Sequence, residues 1–425
     1  MIKKLKKAES KLSAALNKNP KIKKGLKRLY QITSILLSPK KCKVNGSVKR
    51  VTPGDDFEYF FGYYDKSPWD ATDRYLLSLK TVDTHRYPAS DVQSEIVIVD
   101  SKDDKSTTIA STTSWNVQQG CMLQWLGPDF SSKIIFNTFR DKRPCSVILN
   151  VKSKEEEVIP APIYSISQDG KTALTLDFYR LNRLRPGYGY INKPDVTAKK
   201  LIPDGFCIWS VDISTKKMKG IFTYKDLMNI DKRDEMIGAE HKVNHLSISP
   251  SGNRFMFIHR WINKGRKYSR LLTANIDGSD LFNLSDDDMI SHCTWKDDNF
   301  ILGYLRKNKV DGYFLLEDKT HNYKHLWPTL VWDGHPSYSP DRSMVITDTY
   351  PDRTRTSKVM VLEPTAGTYK EIASMYNPFK YDNDVRCDLH PRWNRRGDAI
   401  CVDGVFEGKR AMYTIPVSLK KSEVK

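Results

Sequence analysis

The sequence is short of the features that most often announce a function. Its seven cysteines (Cys42, Cys121, Cys145, Cys207, Cys293, Cys387 and Cys401) are scattered, odd in number and without a C-x-x-C pair. That excludes a disulfide scaffold and predicts reduced thiols in a cytoplasmic setting. No apolar run approaches the roughly 18 residues that span a bilayer. The longest candidate, Ile32 to Leu37, follows a strongly basic stretch and precedes no A-x-A-like site, so neither a transmembrane helix nor a cleaved signal is expected. There is no G-x-S-x-G elbow, no G-x-x-x-x-G-K-[ST] and no G-x-G-x-x-G, which removes serine-hydrolase and nucleotide-cradling chemistries. With 22 Gly, 21 Pro and 39% hydrophobic residues in 425, the chain is neither collagenous nor disordered.

Acidic residues are scarce in one place only. Residues 1–50 hold 16 Lys and Arg against Glu9 alone, which is +15 of the total +18 and leaves +3 for everything else. The basicity is therefore a tail on a nearly neutral body. Within it Leu5, Ala8, Leu12, Ala15 and Leu16 recur at three- and four-residue steps among lysines. After Pro20 the spacing returns as Ile22, Leu26, Leu29, Thr33 and Leu36, until Ser38-Pro39 ends it. Two short basic amphipathic helices are predicted. Residues 1–38 are expected to dock on an anionic membrane surface, making the protein cytoplasmic and peripherally membrane-associated. A protein partner or a solubilising role is the alternative. No aromatic-interleaved basic patch continues into the body, so no nucleic-acid partner is expected. Residues 418–425 read as a disordered basic C-terminus.

Beyond residue 50 one unit recurs: a short strand, a polar turn resembling S-P-D-G, and a second apolar strand. Its seven copies start at Ser67, Leu123, Tyr164, His245, His292, His335 and His390. Asp, Gly, Asn and Ser supply turn geometry, and the β-branched and aromatic flanks suit a half-buried pleated surface. Further strands follow, such as Glu95–Asp100, Gly205–Asp212 and Ser357–Leu362. Four strands per unit make a propeller blade. The predicted fold is all-β: a seven-bladed β-propeller over residues 51–417, preceded by the short basic α-helical extension of residues 1–50.

Four copies open on histidine in the same register, three residues before Ile248, Trp295, Tyr338 and Trp393. Innermost strands line a propeller's channel, so His245, His292, His335 and His390 are expected to form an arc at one mouth, with His241 a fifth candidate. Converging imidazoles bind a divalent metal or act as acid and base near neutral pH, and the sequence leaves both open. Two other segments read as site material. Tyr59–Lys66 brings Tyr63, Tyr64, Asp65 and Lys66 toward the axis. Asp177–Tyr190, read as a long connection, carries Arg180, Arg183, Arg185, Tyr188 and Tyr190, residues suited to stacking sugars and gripping carboxylates. Tyr224–Gly238 reads as a short scaffolding helix.

The Phe-Gly-Tyr-Tyr-Asp-Lys segment, the Arg-Pro-Gly-Tyr-Gly-Tyr loop and the His-Pro-x-aromatic hairpins together resemble the seven-bladed polysaccharide lyases, the oligogalacturonate lyases and related ulvan lyases, over roughly residues 51–417. The resemblance implies β-elimination on a uronate-containing glycan, with an acidic polysaccharide or oligosaccharide as partner. In the oligogalacturonate branch, histidines and a glutamine hold a metal. His292, His335 and His390 would serve here for manganese, zinc or calcium, without a matching glutamine. In the ulvan branch histidine, arginine and tyrosine act, and His241, His245, Arg185, Tyr188 and Tyr190 would correspond, with Tyr63, Tyr64, Lys66, Arg180 and Arg183 binding substrate. A lyase is one expectation. The other is a propeller that only binds glycan or protein, or another sugar-transferring enzyme, in surface-polysaccharide assembly.

Overall fold

The turn residues of the repeats fasten their own hairpins. Ser167 Oγ donates to Asp169 at 2.6 Å and Ser339 Oγ to Asp341 at 2.6 Å, and Asn394 Oδ1 accepts from the amides of Gly397, Asp398 and Ala399 at 3.0 Å each. These local bonds offer the backbone a turn in place of a continued ladder. In the computed structural model, which describes residues 25–26, 28–29, 31–33, 42–103 and 105–417, the hairpins form the inner halves of seven antiparallel sheets.

Blades one to five are built in chain order. They run over Glu58–Phe60 to Lys105–Thr112, Gln124–Trp125 to Glu156–Ile159, Ser165–Ile166 to Met218–Thr223, Glu240–Ile248 to Phe282–Ser285, and Ile290–Trp295 to Tyr323–Leu326. The last two borrow strands from the start of the chain. Blade six, Ser337–Tyr338 to Thr368–Tyr376, gains Lys43–Val44 as a fifth strand. Blade seven, with Arg392–Trp393, Ala399–Gly404 and Ala411–Pro416, is completed by Lys49–Arg50. The ring therefore begins before residue 51: part of the segment assigned to the tail is its closure.

Four of the seven copies carry a tryptophan three residues after the register position, and three of these have a job that the recurrence signals. Trp125 Nε1 donates to Pro68 O at 2.9 Å, Trp295 Nε1 to Ser247 O at 3.0 Å, and Trp393 Nε1 to Ser337 O at 3.1 Å, each reaching into the preceding blade. The indole thus buries its apolar body between sheets and satisfies its one donor on the neighbour. Apolar faces fill the remaining space: Leu76, Leu77, Leu79, Ile96, Val99, Ile134, Phe136 and Val147 join in one buried cluster spanning blades one and two. Each such fully buried side chain contributes about 1.5–3 kcal/mol.

Among the described residues of the ring, helical structure is limited to two insertions and two single 3₁₀ turns. Helix α1, Phe178–Leu184, lies where the sequence predicted a plain connection. It is short enough to carry no clear periodicity and is started by Asp177, whose Oδ1 accepts from the Tyr179 and Arg180 amides at 3.0 Å each. Helix α2, Tyr224–Asn229, is the expected scaffold helix, fixed by a Thr223/Asp226 capping box. The first basic helix and residues 418–425 lie outside the described residues. Of the second, the described part is helical, and Arg28 reaches Asp382 at 3.5 Å and covers the Phe379 ring at 3.6 Å. Leu26, Leu29 and Ile32 are exposed.

Candidate functional site

The four register histidines converge at one place in the channel. Ring centroids are 5.5 Å apart for His245 and His292, 4.1 Å for His292 and His335, and 4.3 Å for His335 and His390. Tyr63 and Tyr64 fill the inside of the arc: Tyr63 stands 5.4 Å from His245 and 5.1 Å from His390, and Tyr64 5.8 Å from His292 and 5.2 Å from His335. The Tyr63 hydroxyl lies 3.2 and 3.0 Å from the two ring nitrogens of His245, and that of Tyr64 donates to Cys293 O at 2.9 Å. His245 and His390 adopt φ of 55° and 44°. Non-glycine residues rarely accept that region, and such outliers gather at functional sites.

The backbone is shaped around His335 as well. A Cβ on Gly334 would meet Asp348 O at 1.8 Å, so only glycine lets the two segments approach. Asp348 uses that closeness. Its Oδ1 accepts from the His335 amide at 2.8 Å and from Nδ1 at 2.7 Å, and its Oδ2 from the His390 amide at 3.0 Å. His390 Nδ1 donates to Gly62 O at 2.7 Å. Both rings are thereby locked with Nε2 free. His335 Nε2, His390 Nε2 and Asp388 Oδ2 are all buried without a hydrogen-bond partner.

Buried polar atoms without partners are rare and need a reason. Here the three belong to the one group of metal-ligating side chains among the described residues, with donor atoms within 4.8 Å of one another. Two imidazoles and a carboxylate, each imidazole oriented through its other nitrogen, are a donor set that fits a divalent first-row metal. Calcium prefers an all-oxygen shell. Burial lowers His390 well below the usual histidine range; for His335 burial is outweighed by the carboxylates of Asp348, Asp388 and Asp333 together, which raise it and make it the more basic donor.

His292, expected among the ligands, stands beside this group instead. Its Nδ1 faces Asp333 Oδ1 at 3.3 Å and Ser291 Oγ at 3.1 Å, while Ser291 donates to Asp333 Oδ2 at 2.6 Å. Burial, then the neighbouring His335, holds His292 below its usual range, so it is neutral at pH 7. The third member of the group is Asp388, two residues before His390. The sequence reading missed it because one carboxylate in the Asp-rich run from Asp382 to Asp388 carries no distinguishing signal.

Above the metal-ligating group opens a cavity of about 510 Å³, lined by Arg185, Tyr188, Lys242, His245, Arg260, Lys267, His292, Asp333, Tyr350 and Arg386, and at its rim by Gln31 of the basic segment. The lining touches the buried donor group through Arg386, which donates to Asp388 Oδ1 at 2.7 Å, and through His292 and Tyr350, whose rings lie 4.1 and 5.8 Å from that of His335. Arg185 and Tyr188 are thus on the cavity, with the guanidinium over the tyrosine ring at 5.2 Å.

Other expected residues are elsewhere. His241 is buried away from the channel. Arg270 Nε donates to His259 Nδ1 at 3.3 Å, which fixes His259 Nε2–H toward His241 Nδ1 at 2.9 Å and His241 Nε2–H toward Met236 O at 3.1 Å. It is a core residue stacked with His259: regular alternation would put residues 241 and 245 on one face, but the pairing with the next strand shifts register between Asn244 and Ser247, where His245 takes its φ of 55°, and the bulge turns the two histidines apart. Tyr190 is likewise buried, stacked on Phe178 at 4.6 Å and bonded to Asn137 Nδ2 at 2.8 Å. Arg180 spends its donors on the carbonyls of His241, Lys200 and Leu201 and on Thr197 Oγ1. Arg183 is tied to Asp195 at 2.7 Å and to Glu240 at 2.5 Å. Lys66 pairs with Asp65 at 2.7 Å and lines a separate cavity, shared with Ser247 and Ile248 further along the channel. Of the two arginines, Arg180 saturates the carbonyls of an irregular insertion, and Arg183 grips carboxylates that belong to the protein itself.

The buried His241 has a consequence for stability. Burial pushes it from 6.5 to about 4. Below pH 6.5 the unfolded chain takes up a proton there that the native chain refuses, so stability falls as pH drops from 6.5 toward 4 and then levels for this group. The expected loss is on the order of 3 kcal/mol. Melting temperatures across that window should fall less steeply in His241→Asn; identical slopes would refute the assignment.

No protein-family model matches the chain, and no curated protein does. Solved structures do. The oligogalacturonate lyase of Vibrio parahaemolyticus superimposes with a TM-score of 0.60 at 13% identity, covering 89% of this chain and 97% of that one. An oligogalacturonate lyase in complex with manganese gives 0.62 at 16% identity, covering 88% and 94%. A puromycin-hydrolysing peptidase of Mycobacterium tuberculosis gives 0.50 at 10% identity, covering 84% of this chain and 52% of its own. At these identities the likeness is one of architecture: the chain is a seven-bladed β-propeller of the shape that oligogalacturonate lyases have.

Proposed function

We propose that the cavity is the active site of a lyase that cleaves uronate-containing oligosaccharides by β-elimination. The observation that carries this reading is the set of three buried, unpartnered donors, His335 Nε2, Asp388 Oδ2 and His390 Nε2, next to the His292–Asp333 pair, whose imidazole stands 4.1 Å from that of His335. The likeness to an oligogalacturonate lyase in complex with manganese supports it. A divalent ion held there would neutralise the uronate carboxylate and acidify the C–H beside it.

The chain's own groups have the remaining tasks. His292, neutral and held through Nδ1 by Asp333, accepts the C5 proton at Nε2. The C5–H electrons form the C4–C5 double bond and the C4–O bond breaks. Tyr188, on the cavity wall with Arg185 over its ring, returns a proton to the departing oxygen. Arg185 supplies positive charge to the carboxylate as the enediolate develops.

Incubation with digalacturonate and a panel of other uronate oligosaccharides, followed at 235 nm, tests the reading. Absorbance should rise, stop on chelation and return with manganese. Binding without any rise across the panel would overturn it in favour of a glycan-binding propeller.

A further inference from the structure

We propose that one wall of the cavity, on the fourth blade, is a phosphate-binding subsite, so that the ligand is a phosphorylated acidic sugar. The wall is built from three cations on one face of one sheet. Lys242 lies directly opposite Arg260 on the adjacent strand, Arg260 lies opposite Ser269 on the next, and Lys267 is two residues from Ser269 on the same side. All three line the cavity. Like charges placed directly across neighbouring strands destabilise a sheet, so their juxtaposition needs a counter-charge.

Among the described residues no carboxylate pairs with Lys242, Arg260 or Lys267. The Lys242 amine donates only to Leu184 O at 2.9 Å, although the residue is 3% exposed, and Arg260 donates to Asn244 Oδ1 at 3.2 Å and Ile290 O at 3.0 Å. The other guanidiniums of the cavity are matched, Arg185 with Asp384 at 3.4 Å, Arg355 with Asp382 at 3.0 Å and Arg386 with Asp388 at 2.7 Å. Burial, then Arg260, Arg185 and Lys267, hold Lys242 well below the usual lysine range, which an anion on the wall would reverse.

With Lys242 protonated by a bound anion, the wall presents three positive charges, which ask for more than one negative charge. A carboxylate or a sulfate ester brings one, whereas a phosphate monoester brings about 1.5 to 2, with three acceptor oxygens for a lysine and an arginine fork together. The cavity, at about 510 Å³, has room for a sugar beside it. Only the sugar part of this inference rests on the elimination reading; the phosphate subsite stands on the wall itself.

Calorimetric titration of chelator-treated full-length protein with galacturonate, galacturonate 1-phosphate, galactose 6-sulfate and inorganic phosphate tests it. Galacturonate 1-phosphate should bind at least about tenfold more tightly than galacturonate, inorganic phosphate should compete with it, and Arg260→Gln with Lys267→Gln should erase the difference. Should that double variant fail to fold, Lys267→Gln alone, at the exposed rim, should shrink the preference by about threefold or more. Equal affinity for the two galacturonates, a preference that survives in the variants, or a sulfate ester bound as tightly as the phosphate would overturn the proposal. A phosphate preference with no rise at 235 nm would sink the elimination reading alone.

Discussion

Asp388→Ala should abolish high-affinity manganese binding and lower turnover of a uronate oligosaccharide by about a thousandfold or more, with the ring still folded. Asp388 is 2% exposed, its Oδ1 accepts from Arg386 Nε at 2.7 Å, and its Oδ2 has no partner. The variant removes one of three donors and leaves His335 and His390 fixed by Asp348 and Gly62. Asp348→Asn should do less, weakening the metal by about 10–100-fold, because it disturbs the orientation of a ligand without deleting one. Metal content after dialysis and calorimetric titration with manganese measure both. Unaltered metal affinity in Asp388→Ala would remove the carboxylate from the site. Binding at the same strength in Asp348→Asn would mean that the glycine-enforced approach at residue 334 alone holds His335.

Asp403→Ala is expected to destabilise the ring by about 3–5 kcal/mol, the usual consequence of stripping one partner from a buried ion pair. Asp403 is fully buried and receives Arg392 Nη1 at 3.1 Å on Oδ1 and Arg410 Nη2 at 2.7 Å on Oδ2. Both guanidiniums are themselves buried and cannot turn to water. Arg392 also donates to the carbonyls of Gly62 and Tyr63, and Arg410 to Val117 O. The network therefore fastens blade seven to the segment that carries Tyr63 and Tyr64 into the histidine arc. In a domain this large, where 1 kcal/mol moves the midpoint by a few degrees at most, the melting temperature should drop by about 5–10 °C. Chemical denaturation gives the free energy directly, and a change under about 1 kcal/mol would show that water or a rearranged carbonyl takes the place of the carboxylate.

The architecture was legible because a propeller writes itself seven times. Every copy has to make the same turn and bury the same faces, and the tryptophans that bolt blade to blade recur at a fixed distance from the histidine register. The arc itself was legible for the same reason, since equal register means equal height. What register could not convey is anything set by strands further out or by connections. Lys242 and Arg260 become neighbours only through the pairing of two strands, and Lys267 joins them from a third. Asp348 reaches His335 from the second strand of blade six. Arg180, Arg183 and Tyr190 are spent inside the protein, Arg180 on carbonyls, Arg183 on Asp195 and Glu240, and Tyr190 on Asn137 and Phe178, and composition cannot tell such internal partners from a ligand's. His241 misled by proximity in sequence to His245.

The two strands donated from the start of the chain also dictate an order of events during synthesis. Lys43 pairs with Ser374 and Lys49 with Thr414, so strands made before blade one wait for the outer strands of blades six and seven. Until then blades six and seven present unfilled edges, and the nascent chain is an open arc whose ends have not met. Contacts of such span form slowly and leave unpaired strands free to seek the wrong neighbour. Once they form, the basic segment that precedes Lys43 is anchored to the latch of the ring, so any force drawn through that segment falls first on the closure and only afterwards on the blades that carry the histidines.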